Sequence, residues 1–151
     1  MDFYTFIDNM NVGAFGCFAL RNEFIVGCGD LPDIPYGYSL PKISNDEDVL
    51  LALEHMKKIN KDIDKRYPNA GKEIYLGIND YEAECFFLEF IFSSIFDYWF
   101  GKLKPSKDKY EDKSLHTEFD LLAFTLWDYL NGEESLDKLK ESSQKFYVKC
   151  I

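Results

Sequence analysis

The sequence predicts a single α+β domain, with three main helices packed on a small, mostly antiparallel sheet. Apolar side chains recur at helical spacing in residues 44–67, 79–101 and 114–130. Residues 12–29, 72–78 and 144–151 are instead short, rich in β-branched or aromatic side chains, and typical of strands. Because 151 residues is a usual length for one domain, we expect one core and one domain over residues 1–151.

The first part of the chain predicts a short helix, a β-hairpin and a loop. Phe3, Phe6 and Ile7 have helical spacing within residues 1–11. Apolar runs at residues 14–20 and 24–28 flank a polar triplet, which favours a hairpin, although nearby glycines weaken both strands. A phosphate-binding loop is disfavoured, because no glycine-rich turn leads into a helix with the required Lys and Ser or Thr. Three prolines mark residues 30–44 as a loop.

An amphipathic helix is predicted next, with Ser44 or Asn45 as its N-cap. Three acidic residues follow in its first turn and lysines and Arg66 gather near its end, as the helix dipole favours. This complementation explains the acidic run with fewer assumptions than a metal site does. The predicted apolar face consists of Val49, Leu53, Met56, Ile63 and Tyr67, with Leu50 and Ile59 beside it. Residues 72–78 then predict a strand.

The central segment, residues 79–101, is the densest aromatic stretch and contains no Lys, Arg or His. It predicts one long helix with Asn79 as N-cap and Gly101 as a left-handed C-terminal cap. The predicted polar stripe consists of Glu82, Glu89, Ser93 and Asp97. The other faces are apolar, so this helix must be covered on most sides. Its charged residues argue against a membrane span.

The last part of the chain predicts two helices and a strand. A lysine-rich connector, residues 102–113, precedes a helix over residues 114–130, which Asn131 and Gly132 end. The main face of that helix consists of Leu115, Phe119, Leu122, Leu126 and Leu130. A short helix is expected over residues 133–142. Phe146, Val148 and Cys150 alternate and predict a strand over residues 144–151.

No motif predicts catalysis, a metal site or a cofactor. The four cysteines lack zinc-site spacing and agree with a reducing, cytoplasmic location. Cys85 and His116 are the best nucleophile–base pair, but a thiol inside an apolar helix is inert. Glu82 and Glu89 have a separation that suits an inverting glycosidase, yet a compact domain of this size seldom supplies the deep cleft required. We therefore predict that the protein is not an enzyme and uses no cofactor.

Charge is the strongest indication of function. The net charge of -10 argues against nucleic acid or an anionic membrane as the direct partner. Residues 73–101 carry six acidic residues and no basic ones. Either distant lysines fold back onto these carboxylates, or the carboxylates face a basic partner. On the second interpretation the predicted partner-binding residues are Asp80, Glu82, Glu84, Glu89 and Asp97.

In size, acidity and predicted α/β content, the whole chain resembles bacterial immunity proteins of contact-dependent growth inhibition and other polymorphic toxin systems. No motif carries this resemblance. It implies a cytoplasmic protein, monomeric when free, that forms a one-to-one complex with a basic toxin, often a nuclease, and blocks its active or substrate-binding surface. The alternative is a small enzyme or ligand-binding domain with an aromatic-lined pocket between the central helix and the hairpin.

Overall fold

Five helices make up the regular structure of the described residues. The computed structural model describes residues 1–9, 42–70, 80–101 and 113–151. The helices are α1 (Phe3–Asn9), α2 (Asp46–Arg66), α3 (Asp80–Phe100), α4 (Lys113–Leu130) and α5 (Leu136–Cys150). Among them, none combines the length and apolar character needed to cross a membrane.

The predicted α+β class is wrong for this part of the chain, where every regular element is a helix. The clearest error is the strand predicted over residues 144–151, which is instead the second half of α5. Phe146 and Cys150 fit both interpretations, because a spacing of four puts two residues on one face of a strand and of a helix. Val148 distinguishes them: it is 58% exposed, as a helix requires. The predicted hairpin, residues 12–29, and the predicted strand, residues 72–78, lie outside the described residues.

The predicted N-cap of α2 and the predicted glycine ends of α3 and α4 are confirmed. Asn45 is the N-cap of α2, and its side-chain oxygen accepts a hydrogen bond of 2.8 Å from the Asp48 backbone N–H. Gly101 follows α3 with φ of 84°, and its N–H donates to the Asp97 carbonyl at 2.8 Å. Gly132 follows α4 with φ of 80°. Both glycines adopt the left-handed conformation, which costs them little because they lack a Cβ.

Helix α3 is at the centre of the core, as its composition predicts. Its buried apolar residues are Cys85, Phe87, Leu88, Ile91, Phe92, Ile95 and Phe96. The Phe96 ring contacts that of Phe146 on α5 edge to face, and the Phe100 and Tyr147 rings stack at 5.3 Å. Such aromatic pairs stabilise a core by about 0.5–1.5 kcal/mol beyond their buried area. The polar stripe is wrong at Ser93, which is completely buried.

Most predicted apolar residues of the other helices are buried, with α2 packed on α3 and α4 packed chiefly on α5. Helix α2 buries Val49, Leu53, Met56, Ile59 and Ile63. Helix α4 buries the five leucine and phenylalanine positions of its predicted main face. Leu50 is an exception, since it is 47% exposed. The α1 residue Phe6 is buried, and its ring centroid lies 5.1 Å from that of Trp127 on α4.

Candidate functional site

Helices α2 and α3 run antiparallel, and this arrangement decides which charges meet. Arg66, at the end of α2, binds Glu84 near the start of α3. At the opposite end, the Tyr98 hydroxyl of α3 donates a hydrogen bond of 3.0 Å to Asp46 at the start of α2. One end of the helix pair therefore joins acid to base, and the other end joins an acid to a neutral hydroxyl.

The Glu84 carboxylate is buried and neutralised. One Arg66 guanidinium nitrogen, Nη2, lies 3.0 Å from each of its two oxygens. The Glu84 side chain is 2% exposed and that of Arg66 is 40% exposed, so the arginine closes the pair off from solvent. Glu84 was predicted to face a basic partner, and the structure shows it paired with Arg66 of the same chain. Its carboxylate is directed into the protein and is already bound by a guanidinium group.

Tyr81 and Cys85 lie beside this ion pair on the first turns of α3. Burial raises the pKa of the Tyr81 hydroxyl well above its ordinary value, and Cys85 and Asp64 raise it further. Cys85 is 1% exposed, which agrees with the inert thiol predicted for an apolar helix. The side chain of His116, the base considered with Cys85 in the sequence, lies outside the described residues. Two surface grooves lie among the described residues, and Cys85 lines neither of them.

The remaining predicted contact residues have different outcomes. Asp80, Glu82 and Glu89 belong to α3, but their side chains lie outside the described set. Asp97 is half-buried in the last turn of α3 and does not line the groove described below. Of the five predicted contact residues, Glu84 and Asp97 are those whose side chains are described, and Glu84 is buried while Asp97 is half-buried.

A different acidic surface lies where the first turns of α2 and α5 meet the last turn of α3. Its carboxylates belong to Asp46, Glu47, Asp48, Asp97 and Asp137, and we call this surface the acidic end. Asn45 and Ser135 are the N-caps of α2 and α5, so the acids in the first turns stabilise both helix dipoles. Within the described residues, no group of three potential ligands is arranged to hold a metal ion.

A groove of about 190 Å³ opens at the acidic end. Val49 and Leu50 of α2, Trp99 of α3 and Leu136 of α5 form its apolar lining. Leu50 is largely exposed and Trp99 is half-buried, so apolar surface faces solvent here. Small pockets that combine an aromatic ring with polar groups at the rim are typical of the anchoring points in protein–protein contacts.

The charged rim of the groove consists of Asp46, Asp137 and Lys140. The Lys140 ammonium group lies 5.8 Å from the centre of the Trp99 ring, which is within range of a cation–π contact. Asp46 raises the pKa of the Tyr98 hydroxyl by accepting its hydrogen bond. The groove therefore already holds one cation over its indole ring, between two helices that each contribute a carboxylate.

Several described acids outside the acidic end are paired with bases of the same chain, whereas Asp62, Asp128 and Glu133 have no such pair among the described residues. Glu54 pairs with Lys57, Asp64 with the Met1 amine, Glu118 with Lys149, and Glu141 with Lys138 and Lys145. In the described part of the chain, no such pair is found for Asp46, Glu47 or Asp137. Asp46, Glu47 and Asp137 are exposed, so their carboxylates are open to solvent at the acidic end.

Sequence reasoning predicted the acidic contact surface on α3 and did not identify the acidic end. It noted Asp46, Glu47 and Asp48 but assigned them to the helix dipole alone, and it did not single out Asp137, Trp99 or Leu50. The available signal was the acidic first turn of α2, together with the exposed position of Leu50 beside it. Nothing in the sequence shows that the starts of α2 and α5 meet at the end of α3, since this depends on how the helices pack.

A second exposed surface is apolar and lies on α1 and α4. Tyr4 is 78% exposed, Leu121 58% and Phe124 49%, and the Phe3 ring contacts both aromatic rings. Exposed apolar patches often mark contacts between proteins. This patch carries no charge pattern that identifies an occupant, so the acidic end remains the candidate functional site.

Comparisons with models of protein families, with curated proteins and with solved structures found no match for this chain.

Proposed function

We propose that this protein binds a basic protein and neutralises it by covering its cationic surface. The supporting observation is that exposed acids without basic partners in the described residues gather at the acidic end, beside an apolar groove. Asp46, Glu47 and Asp137 are exposed and lack basic partners in the described residues, whereas the exposed acids Glu54 and Glu141 each have one. A protein with a net charge of -10 that concentrates unmatched carboxylates at one end attracts cationic partners to that end.

Apolar surface beside the charge favours a protein partner over a small cation. Apolar surface is provided by Leu50, Leu51 and Trp99, and the binding of a small cation by charge alone would not require it. Stable interfaces combine a desolvated apolar centre with a polar rim. The groove and its charged rim have this composition on a small scale. Blocking of a basic toxin, the case that the immunity-protein resemblance implies, stays a prediction, as do the cytoplasmic location and the absence of enzymatic activity.

The test is an affinity capture in which two triple variants with equal net charge are compared. The first variant, Asp46→Asn with Glu47→Gln and Asp137→Asn, removes unmatched acids. The second, Glu54→Gln with Asp64→Asn and Glu141→Gln, removes acids that already have intramolecular partners. Proteins captured by the unmodified chain are identified, and their association rates are measured at low and high ionic strength.

We expect a basic protein whose association is slowed ~10-fold or more by the first variant and by added salt, since electrostatic steering contributes 10-fold or more to such rates. The second variant should slow association much less. The proposal is contradicted if the captured partner is acidic or neutral, or if both triple variants slow its association equally.

A further inference from the structure

We infer that the groove at the acidic end binds an arginine side chain of the partner, stacked on Trp99 in the place that Lys140 now occupies. This inference rests on the proposed function, because it assumes a basic protein partner. It adds the identity of the recognised side chain and the atoms that recognise it. The argument has three steps, concerning the indole ring, the carboxylates and the lysine.

The indole ring of Trp99 is the first element of recognition. Trp is the aromatic side chain that attracts cations most strongly, and an arginine guanidinium also stacks flat on its face. Trp99 is half-buried and packs against the core, so its ring is held in place before any partner arrives. Val49, Leu50 and Leu136 provide apolar walls against which the methylene groups of an arginine can pack.

The carboxylates of Asp46 and Asp137 are the second element. A guanidinium group has five N–H donors in one plane and can donate to carboxylates while it stacks on a ring. The starts of α2 and α5 carry only about half an elementary positive charge each from their dipoles. The acidic residues in their first turns outweigh that charge, and the end of α3 adds negative dipole charge with no basic residue in its last turn.

Lys140 is the third element, because it shows that a cation fits this position. Its ammonium group lies over the Trp99 ring and between helices that carry unmatched acids. Lys140 is exposed, so it can leave the ring for solvent without disturbing the core. An incoming arginine therefore competes with Lys140, and removal of this lysine should strengthen binding. Lys138 is the matched control, since it is also exposed, lies on the same helix and pairs with Glu141 outside the groove.

The experiment is a titration of the full chain with hexa-arginine and hexa-lysine peptides at low ionic strength, followed by NMR of the tryptophan indole N–H signals. The chain has two tryptophans, and the variant Trp127→Phe assigns them. Trp127 packs against Phe3 and Phe6, away from the groove, and serves as the internal reference. We expect hexa-arginine to shift the Trp99 signal to saturation and to leave the Trp127 signal in place.

The variants then test each step. Asp46→Asn with Asp137→Asn should weaken hexa-arginine binding ~10-fold, and Glu54→Gln with Glu141→Gln less than ~2-fold, because close charges contribute more than distant, screened ones. Lys140→Ala should lower the dissociation constant of hexa-arginine. The constant for Lys140→Ala should be ~3-fold below that for Lys138→Ala. The dissociation constant of hexa-lysine should exceed that of hexa-arginine by ~3-fold or more, because an ammonium group is not planar and cannot stack flat on the indole ring. Unfolding midpoints in urea show whether each variant is folded under these conditions.

The inference is overturned if the Trp99 signal does not move, if the two pairs of acid variants weaken binding equally, or if Lys140→Ala and Lys138→Ala have the same effect. The proposed function fails separately, when capture yields no basic partner. A basic partner that binds the unmodified chain and the Asp46→Asn, Asp137→Asn variant equally well leaves the function in place and overturns the arginine site.

Discussion

The two ends of the α2–α3 helix pair differ in the burial and in the partners of their acidic residues. At one end, Glu84 is buried and held by Arg66. At the other, Asp46 is exposed and accepts a hydrogen bond from the neutral Tyr98 hydroxyl. In the sequence the two acids are alike, since each lies in an early turn of a helix where the dipole favours negative charge. Their difference arises only from which helix end lies opposite.

Antiparallel packing explains the difference. Helix α2 has acids in its first turn and Lys65 and Arg66 in its last turn, as its own dipole favours. Packing α2 antiparallel to α3 brings its basic end to the acidic start of α3. The same packing brings its acidic start to the end of α3, where the last turn has no basic residue. At one end Arg66 therefore neutralises Glu84, and at the opposite end the acidic first turn of α2 meets a helix end without a basic residue.

The largest expected effect tests whether α5 is a helix, since Asp137 and Lys140 reach the groove only from the first turns of that helix. Phe146→Ala should destabilise the protein by about 3–5 kcal/mol, because it removes a buried ring that contacts Phe96 and Phe119. Val148→Ala should change the free energy of unfolding by less than about 0.5 kcal/mol. Urea unfolding measures both. A large cost for Val148→Ala would instead favour the strand predicted over residues 144–151.

The next effect concerns the neutralised end. Arg66→Ala should cost about 2–3 kcal/mol, below the range for fully buried pairs because Arg66 is 40% exposed. The physical reason is the loss of a guanidinium group from a carboxylate that stays buried. Lys65→Ala is the matched control, since Lys65 is exposed on the same turn, and its expected effect is within about 0.5 kcal/mol. Equal costs in urea unfolding would show that the two ends do not differ.

The two tyrosines provide a test by pH. The pKa is raised at Tyr81 chiefly by burial and at Tyr98 chiefly by the hydrogen bond to Asp46. Because the folded state holds the proton more tightly than the unfolded chain, this stabilisation is complete below the ordinary pKa of 10.0 and is lost as the pH rises through the folded pKa. We therefore expect stability to fall above about pH 10.

Tyr81→Phe should reduce this alkaline loss more than Tyr98→Phe does. The slope removed at Tyr81 should be below the about 1.4 kcal/mol per pH unit of one fully retained proton, because Tyr81 is partly exposed and solvent screens its interactions. Thermal unfolding across this pH range measures the slope for each variant. A larger change for Tyr98→Phe would reverse the ranking of the two ends.

The smallest effect belongs to the exposed acid. Asp46→Asn should lower stability by about 0.5 kcal/mol at low salt, because it removes a charge that complements the α2 dipole. Added salt should reduce this difference, since exposed charges are screened. The buried Arg66–Glu84 pair should be much less sensitive to salt. Urea unfolding at two ionic strengths checks both, and equal salt sensitivity at the two ends would contradict the comparison.

Most of the helices could be predicted from the sequence because their signals are local. Asn45 begins α2, because its side chain accepts a hydrogen bond from the first turn. Gly101 and Gly132 end α3 and α4, because they adopt the left-handed conformation. The apolar spacing of α2 and α4 identifies their buried faces. The second half of α5 was predicted as a strand because the spacing of Phe146 and Cys150 fits both a strand and a helix. Only the exposure of Val148 distinguishes the two.

The candidate site could not be predicted, since its parts come from three separate helix ends. Trp99, Asp46 and Asp137 share no sequence pattern. The acids of the central helix were predicted to face outward because no base lies near them in sequence, yet Arg66 reaches Glu84 from α2. Charge neutralisation across helices depends on packing direction, which the sequence alone did not reveal.

By itself, the sequence determined the start of α2 and the ends of α3 and α4, that α3 lies in the core, and that the protein is strongly acidic. These properties depend on side chains within a turn or two of one another, or on simple totals. The tertiary structure alone decided which acids are neutralised and which are exposed, because Coulomb interactions depend on distance through space. Residues 66 and 84 become neighbours, and so do residues 46 and 98, only when α2 and α3 pack antiparallel.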